Sequence, residues 1–421
     1  MPTRSFETIL SDPGRLPIAK AVYALGTETA FDVMAKAKAM EAGGIDMIYL
    51  QIGEPDFITP KYIIEAAKKA LDAGFTHYNP VPGLPEVRKA FADYLNRTRG
   101  TDYTLDEIVI TPGAKPLIFY GLLATINPGD EVIFPDPGYP IYESVINYIK
   151  AVPIRLPLRE SRNFRFDFAD LEAAVTDRTK MIIINSPHNP TGGMLELEDL
   201  KKIADVAIRD NLWVMSDEVY SRIVYDGHVH HTIAGLPGMK ERTILVEGHS
   251  KTYAMTGWRL GYGAVNTDLM QIITRLITNC NSCTSSFTQI AGKAAYEGPQ
   301  DEVDVFVKKF QERRDLIVRR LNEIPGVSCL NPGGAFYVFP NFSSFGMKSR
   351  EMENYLIEEA HVACLGGTSF GKYGQGYIRF SYANSLENIN KAMDRITAAL
   401  KKLKPREKRP NHEDYRVGIS D

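Results

Sequence analysis

Lys180–Tyr220 reads KMIIINSPHNPTGGMLELEDLKKIADVAIRDNLWVMSDEVY. It opens on a short apolar run, Lys180–Asn185, and passes through a Pro/Gly turn. Apolar residues then recur at helical spacing over Leu197–Arg209, and a second apolar run follows at Leu212–Ser216. Two unbroken apolar strands joined by an amphipathic helix predict a strand–helix–strand unit and a mostly parallel sheet. Runs rather than alternations are expected when helices cover both faces of the sheet. Asn189 and Asp217 follow the two strands, at the carboxyl ends where open α/β sheets collect ligands.

The same texture extends on both sides of this unit. Apolar runs recur at Glu107–Thr111, Glu131–Phe134, Thr243–Val246 and Leu260–Val265, most of them separated by helical stretches. This predicts a large α/β domain whose mostly parallel central sheet is covered by helices. From about residue 300 the pattern changes. A long charged helix (304–324) leads to the turn and strand of Gly333–Phe339, then a helix (349–359), a short strand near Val362, a strand at 377–382 and a closing helix (386–403). That is a smaller α+β domain, and residues 29–44 read as a helix packed beside it. The expected division is an N-terminal segment with part of the small domain (1–58), a large domain (59–300), a small C-terminal domain (301–403) and a polar tail (404–421).

At 421 residues the chain is too long for one ordinary core. Lys and Arg (49) nearly balance Asp and Glu (52), so the total charge gives no reason to expect nucleic acid or an anionic membrane. The N-terminal stretch lacks the apolar core of a signal peptide, and no run approaches the ~18 apolar residues of a membrane span. Four cysteines are too few for a disulfide scaffold of this size, which fits a reduced, cytoplasmic compartment. Cys280-Asn281-Ser282-Cys283 is a single pair without further ligands at zinc spacing, so no metal is expected. His228, His230 and His231 read as a solvated loop.

The strongest chemical signal is Ser250-Lys251-Thr252-Tyr253-Ala254-Met255-Thr256-Gly257-Trp258-Arg259. Its lysine sits among small and apolar residues rather than other charges. An amine in such surroundings loses its proton readily and becomes a nucleophile toward an aldehyde. Arg259 offers a planar fork of donors suited to phosphate. Gly113-Ala114-Lys115 opens an apolar helix, where small residues let backbone N–H groups and the helix dipole meet an anion.

The segment around Lys251 resembles the lysine motif of the fold-type I, class I/II pyridoxal-phosphate-dependent aminotransferases, which include the aspartate aminotransferases. The resemblance continues in chain order through Gly53-Glu54-Pro55-Asp56-Phe57, Tyr78-Asn79-Pro80 with Gly83–Arg88, Gly113-Ala114-Lys115, Asn189-Pro190-Thr191-Gly192, Asp217-Glu218-Val219-Tyr220 and Tyr377–Ser381. It covers roughly residues 28–403. It implies pyridoxal 5′-phosphate (PLP) as cofactor and transfer of an α-amino group from an amino acid to a 2-oxo acid by a ping-pong scheme. Lys251 would hold the cofactor as a Schiff base and shuttle the substrate proton.

By the same resemblance, Asp217 would pair with the ring nitrogen, although an aspartate there also reads as a helix N-cap. Tyr220 and Asn189 would reach the 3′ oxygen, Tyr139 would stack on the ring, and Gly113, Ala114, Lys115, Ser250 and Arg259 would cup the phosphate. Arg379, with Gly53 and Asn189, would take the substrate α-carboxylate. Tyr78 would reach the partner's phosphate in a homodimer. One position departs from the family pattern: Gly248 stands where a serine is usual. The alternatives are a carbon–sulfur β-lyase on the same scaffold and a non-catalytic PLP-binding module. Only some 27 residues precede the matched part, which leaves no room for a DNA-binding region ahead of it.

Overall fold

The computed structural model describes residues 19–403; the tail expected at 404–421 lies outside the described residues. Eight strands form the central sheet. Their spatial order is Ile108–Thr111, Gly261–Ala264, Thr243–Gly248, Trp213–Asp217, Thr179–Asn185, Glu131–Asp136, Val152–Arg159 and Arg165–Phe166. The pairs from Thr243–Gly248 across to Val152–Arg159 are parallel. Gly261–Ala264 runs antiparallel to both neighbours, and Arg165–Phe166 antiparallel to the strand it borders. The sheet is therefore mostly parallel, in keeping with the unbroken apolar runs. The strands Ile108–Thr111, Glu131–Asp136 and Thr243–Gly248 are buried at every residue, with separate apolar clusters against the two faces.

The helix Leu197–Arg209 occupies the expected stretch and starts with a capping box between Glu196 and Asp199. The helix Lys115–Thr125 carries Pro116 in its first turn, where a missing N–H costs nothing. Val152–Arg159 is a strand that its sequence, VPIRLPLR, conceals. Prolines and arginines alternate with its apolar residues, and only Leu156–Leu158 is buried.

Beyond the helix Asp301–Asn322, the chain builds a three-stranded antiparallel sheet. Ile378–Ser381 lies between Tyr337–Val338 and Leu365–Gly366. The helices Ser349–Glu359 and Leu386–Leu400 pack with it around their own apolar cluster. Thr29–Ala42 is helical as expected. The strand after it, Ile48–Tyr49, pairs in parallel with Val362–Ala363, so the N-terminal segment is tied to this C-terminal unit. Leu50 O accepts the Ser381 N–H at 2.7 Å, which sets residues 51–53 alongside the strand that carries Arg379.

Candidate active site

Parallel strands deliver their carboxyl ends to one edge of the sheet. Register pairs Asn185 with Asp217, and Asp217 with Val246 two residues before the end of the next strand. The chain leaves Thr243–Gly248 into a single helical turn, His249–Thr252, that carries Lys251. Lys251 Nζ donates to Gly53 O at 2.6 Å and lies 5.9 Å from the centre of the Phe336 ring. Burial, against the opposing pull of Glu54, lowers its ammonium from the usual lysine range to about 8.

Asp217 is 5% exposed. One carboxylate oxygen accepts the Tyr142 hydroxyl at 2.6 Å, and the other accepts the Val219 N–H at 3.4 Å. Burial raises the acid to about 6, with both hydrogen bonds acting against the rise. Tyr220, three residues on, bonds the Tyr337 hydroxyl at 2.8 Å. Asn189 is held by its backbone N–H on Asn185 Oδ1 at 2.9 Å, and its own Oδ1 accepts Arg379 Nη1 at 3.0 Å. Arg379 is 4% exposed. Its Nη2 donates to Gln51 O at 2.5 Å, and its guanidinium lies 4.5 Å from the Tyr337 ring centre and 4.7 Å from that of Phe370. Its Nε has no hydrogen-bond partner among the described residues. Lys251 and Arg379 thus converge on one stretch, Gln51–Gly53. A Cβ at Gly53 would lie 1.8 Å from the Tyr337 hydroxyl, so no larger residue fits there.

Gly113 has φ +92°, and a Cβ there would meet the Arg259 guanidinium at 2.2 Å. Arg259, exposed, donates to Thr256 O at 2.7 Å. A Cβ at Gly261 would collide with the backbone of Gly113 and Ala114. The helix start at Lys115, Arg259 and the turn bearing Ser250 are therefore packed together. At Gly248 a Cβ would find only ordinary contacts, 3.4 Å from Ala114 Cβ, so crowding does not explain that glycine. Lys115 directs its ammonium to Glu28, which also accepts the Tyr139 hydroxyl at 3.0 Å. Tyr78 stands apart from the others at 90% exposure. Its neighbour Asn79 is pinned to Thr284 O and Ser286 Oγ.

The sequence model of the family described as "Aminotransferase class I and II" matches residues 45–396. The chain belongs to that family. It is 41% identical over 385 residues to the aspartate aminotransferase of Pyrococcus horikoshii, covering 91% of this chain and 97% of that one. It is likewise 41% identical to aromatic-amino-acid aminotransferase 2 of Thermococcus litoralis, over 86% of this chain and 94% of its relative. The crystal structure of the aspartate aminotransferase from Rhizobium meliloti superposes with a TM-score of 0.89 at 37% identity, covering 93% of this chain and all of that one. This is a PLP-dependent aminotransferase on a fold-type I scaffold.

The residues present fit the cofactor. A class I/II aminotransferase needs an amine that gives up its proton more readily than an ordinary lysine, a carboxylate shielded from water and a cradle for phosphate. Lys251, Asp217 and the Gly113–Arg259 contact have those properties. Sequence reasoning passed over Tyr142, Tyr337 and Gln51. Only Tyr142 left a trace: it lies one helical turn after Tyr139, and the two rings meet edge-on at 5.7 Å. The histidine loop needs a correction. The His230 side chain is 7% exposed, not solvated, and its Nε2 bonds Glu218 at 2.9 Å. A buried carboxylate draws in any donor within reach, and residue type alone gave no sign of that carboxylate.

Proposed function

We propose that Lys251 is the cofactor-bearing and proton-carrying residue of this aminotransferase, and that Arg379 binds the substrate α-carboxylate. The observation that carries the reading is the convergence of Lys251 Nζ and the Arg379 guanidinium on Gly53 O and Gln51 O. A small amino acid held at its carboxylate by Arg379 would present its Cα to Lys251. Asn189 and Gly53 would complete the carboxylate's hydrogen bonds, since Asn189 already lies against Arg379.

PLP would be held at its aldehyde by Lys251, at its ring nitrogen by Asp217, at its 3′ oxygen by Tyr220 and Asn189, and on its face by Tyr139. Gly113, Ala114, Lys115, Ser250 and Arg259 would take the phosphate. Bound there, the cofactor supplies an electron sink for the negative charge that develops at Cα. Asp217 keeps a proton on the ring nitrogen by its charge. Freed when the substrate's amine takes its place, Lys251 Nζ would remove the Cα proton and return it two atoms further on, beyond the amino nitrogen. That task suits an amine whose pKa has been brought to about 8. We place the active protein in the cytoplasm as a homodimer, with a large domain over 59–300 and a small one over 301–403. The four free cysteines support the compartment, and the outward-facing Tyr78 supports the dimer. Among the described residues no helix is long and apolar enough to cross a membrane.

The test is a half-reaction. PLP-loaded protein is mixed with single amino acids and no acceptor, starting with aspartate and the aromatic amino acids after which the relatives are named. One oxo acid released per site, with amino acid regained on adding an oxo acid, is the expected result. Continuous release of ammonia and pyruvate from a cysteine-like substrate would instead make the reaction an elimination.

A further inference from the structure

Asp136 ends the strand Glu131–Asp136 and is wholly buried, three residues before Tyr139. Its carboxylate faces the turn that precedes the Arg379 strand in the chain. The backbone N–H of Lys372 donates to it at 3.2 Å and that of Tyr373 at 3.1 Å. Arg155 Nε lies 3.2 Å away. Gly138 N–H in turn donates to Phe370 O at 2.7 Å. Two backbone N–H groups on the Asp136 carboxylate and one main-chain bond therefore join the segment that presents Tyr139 to residues 370–373. The Phe370 ring lies 4.7 Å from the Arg379 guanidinium. Gly371 closes the contact: it has φ +128°, and a Cβ on it would meet Asp136 Oδ1 at 2.1 Å.

We propose that Asp136 is a positioning residue that registers the substrate-carboxylate site against the cofactor side of the pocket, acting through Phe370 on Arg379. The inference rests on Arg379 binding the substrate carboxylate. The chemistry of the joint favours an anion. Two backbone donors converge on one carboxyl group, and only an acceptor-only group satisfies both. An amide in the same place must turn its own N–H₂ toward one of them. The α-carboxylate of the substrate undergoes no bond change, so its grip is shared by ground and transition states. Loosening that grip raises KM and leaves kcat in place.

The experiment compares Asp136→Asn, Gly371→Ala and Arg379→Lys in the PLP-loaded enzyme. Loss of one charge-assisted hydrogen bond predicts a KM for amino acid and oxo acid raised about tenfold in Asp136→Asn. The dissociation constants of succinate and 3-phenylpropionate, used as unreactive carboxylates, rise in parallel. kcat stays within about twofold, and the affinity of the apoenzyme for PLP is unchanged. Gly371→Ala, which pushes on the same joint from the other side, gives the same pattern. The proposal is overturned if both variants keep wild-type KM and inhibitor binding. It is equally overturned if kcat and PLP affinity fall along with the rise in KM, which marks a purely structural role. Arg379→Lys separates the two levels. If it leaves inhibitor binding intact, the carboxylate site itself is misassigned. If it weakens binding while Asp136→Asn does not, only the joint fails.

Discussion

Asp217 and Glu218 are consecutive, both buried, and opposite in character. Asp217 meets a tyrosine hydroxyl and a backbone N–H, and is raised to about 6 by burial. Glu218 faces the other way, into Arg99, His230, Thr232 and Ser216. Burial alone would raise it too, but Arg99 and His230 outweigh burial and take it down to about 2. Arg99 also pairs with Glu247, so one guanidinium holds two carboxylates behind the sheet's edge. The difference is the presence of a counter-charge. A carboxylate with its cation built in serves the fold, and one left short of a cation is completed by what binds it.

The comparison can be broken at either carboxylate. The largest effect is expected from Arg99→Ala, which strands Glu218 and Glu247 without their cation. Loss of one partner from a buried ion pair costs about 3–5 kcal/mol. Urea unfolding should show a drop of that order, whether or not PLP is present. Asp217→Asn should do the reverse. It lowers kcat/KM about 10²–10³-fold, the usual scale for losing one preorganised electrostatic group, while the apoenzyme unfolds at nearly wild-type urea. Comparable stability losses in the two variants would erase the distinction.

Tyr142→Phe sharpens the contrast. The Tyr142 hydroxyl holds the Asp217 pKa down, so its removal lets burial push the acid further above 6 and leaves less carboxylate ionised at neutral pH. PLP affinity should fall about tenfold, the scale of one hydrogen bond to a charged group, and the acid limb of the activity profile should move to higher pH. Lys251, half-buried, belongs with Asp217 as an ion without a full partner. Only its neutral amine attacks an aldehyde, so capture of PLP by the apoenzyme should quicken as pH rises toward about 8 and level off above it. A rate still climbing steeply at pH 10 would place the amine at its ordinary lysine value. The smallest effect is expected from His230→Phe, which removes one donor from Glu218 and costs about 1 kcal/mol in unfolding with no change in KM.

The residues that could be found in the sequence are those whose chemistry is marked by local surroundings. Lys251 stands among small residues in a stretch with no other charge until Arg259. Asp217 ends an apolar strand, and Arg379 is a lone charge inside one. Each is conspicuous where it stands. Their partners are not. Tyr142 is 75 positions from Asp217, Gln51 is 328 from Arg379, and Asp136 is 236 from Lys372. Apart from Tyr139, one turn ahead of Tyr142, nothing near those residues in the chain marks them. The strand Val152–Arg159 escaped for a related reason: it is buried only over Leu156–Leu158, and Pro153, Arg155 and Arg159 lie on its partly or fully exposed residues.

Periodicity determined the α/β layer and the α+β unit after it, because an apolar run must be buried and its length and spacing say in which element. The motifs taken together, in chain order, determined the chemistry through the family they resemble; singly each has a plainer use, as Asp217 has at a helix N-cap. Charge balance was decided only in three dimensions. Burial costs Asp217 and Glu218 alike, and what separates them is which side chains the folded chain brings within about 3 Å, a distance that hydrogen bonding demands and sequence separation does not encode.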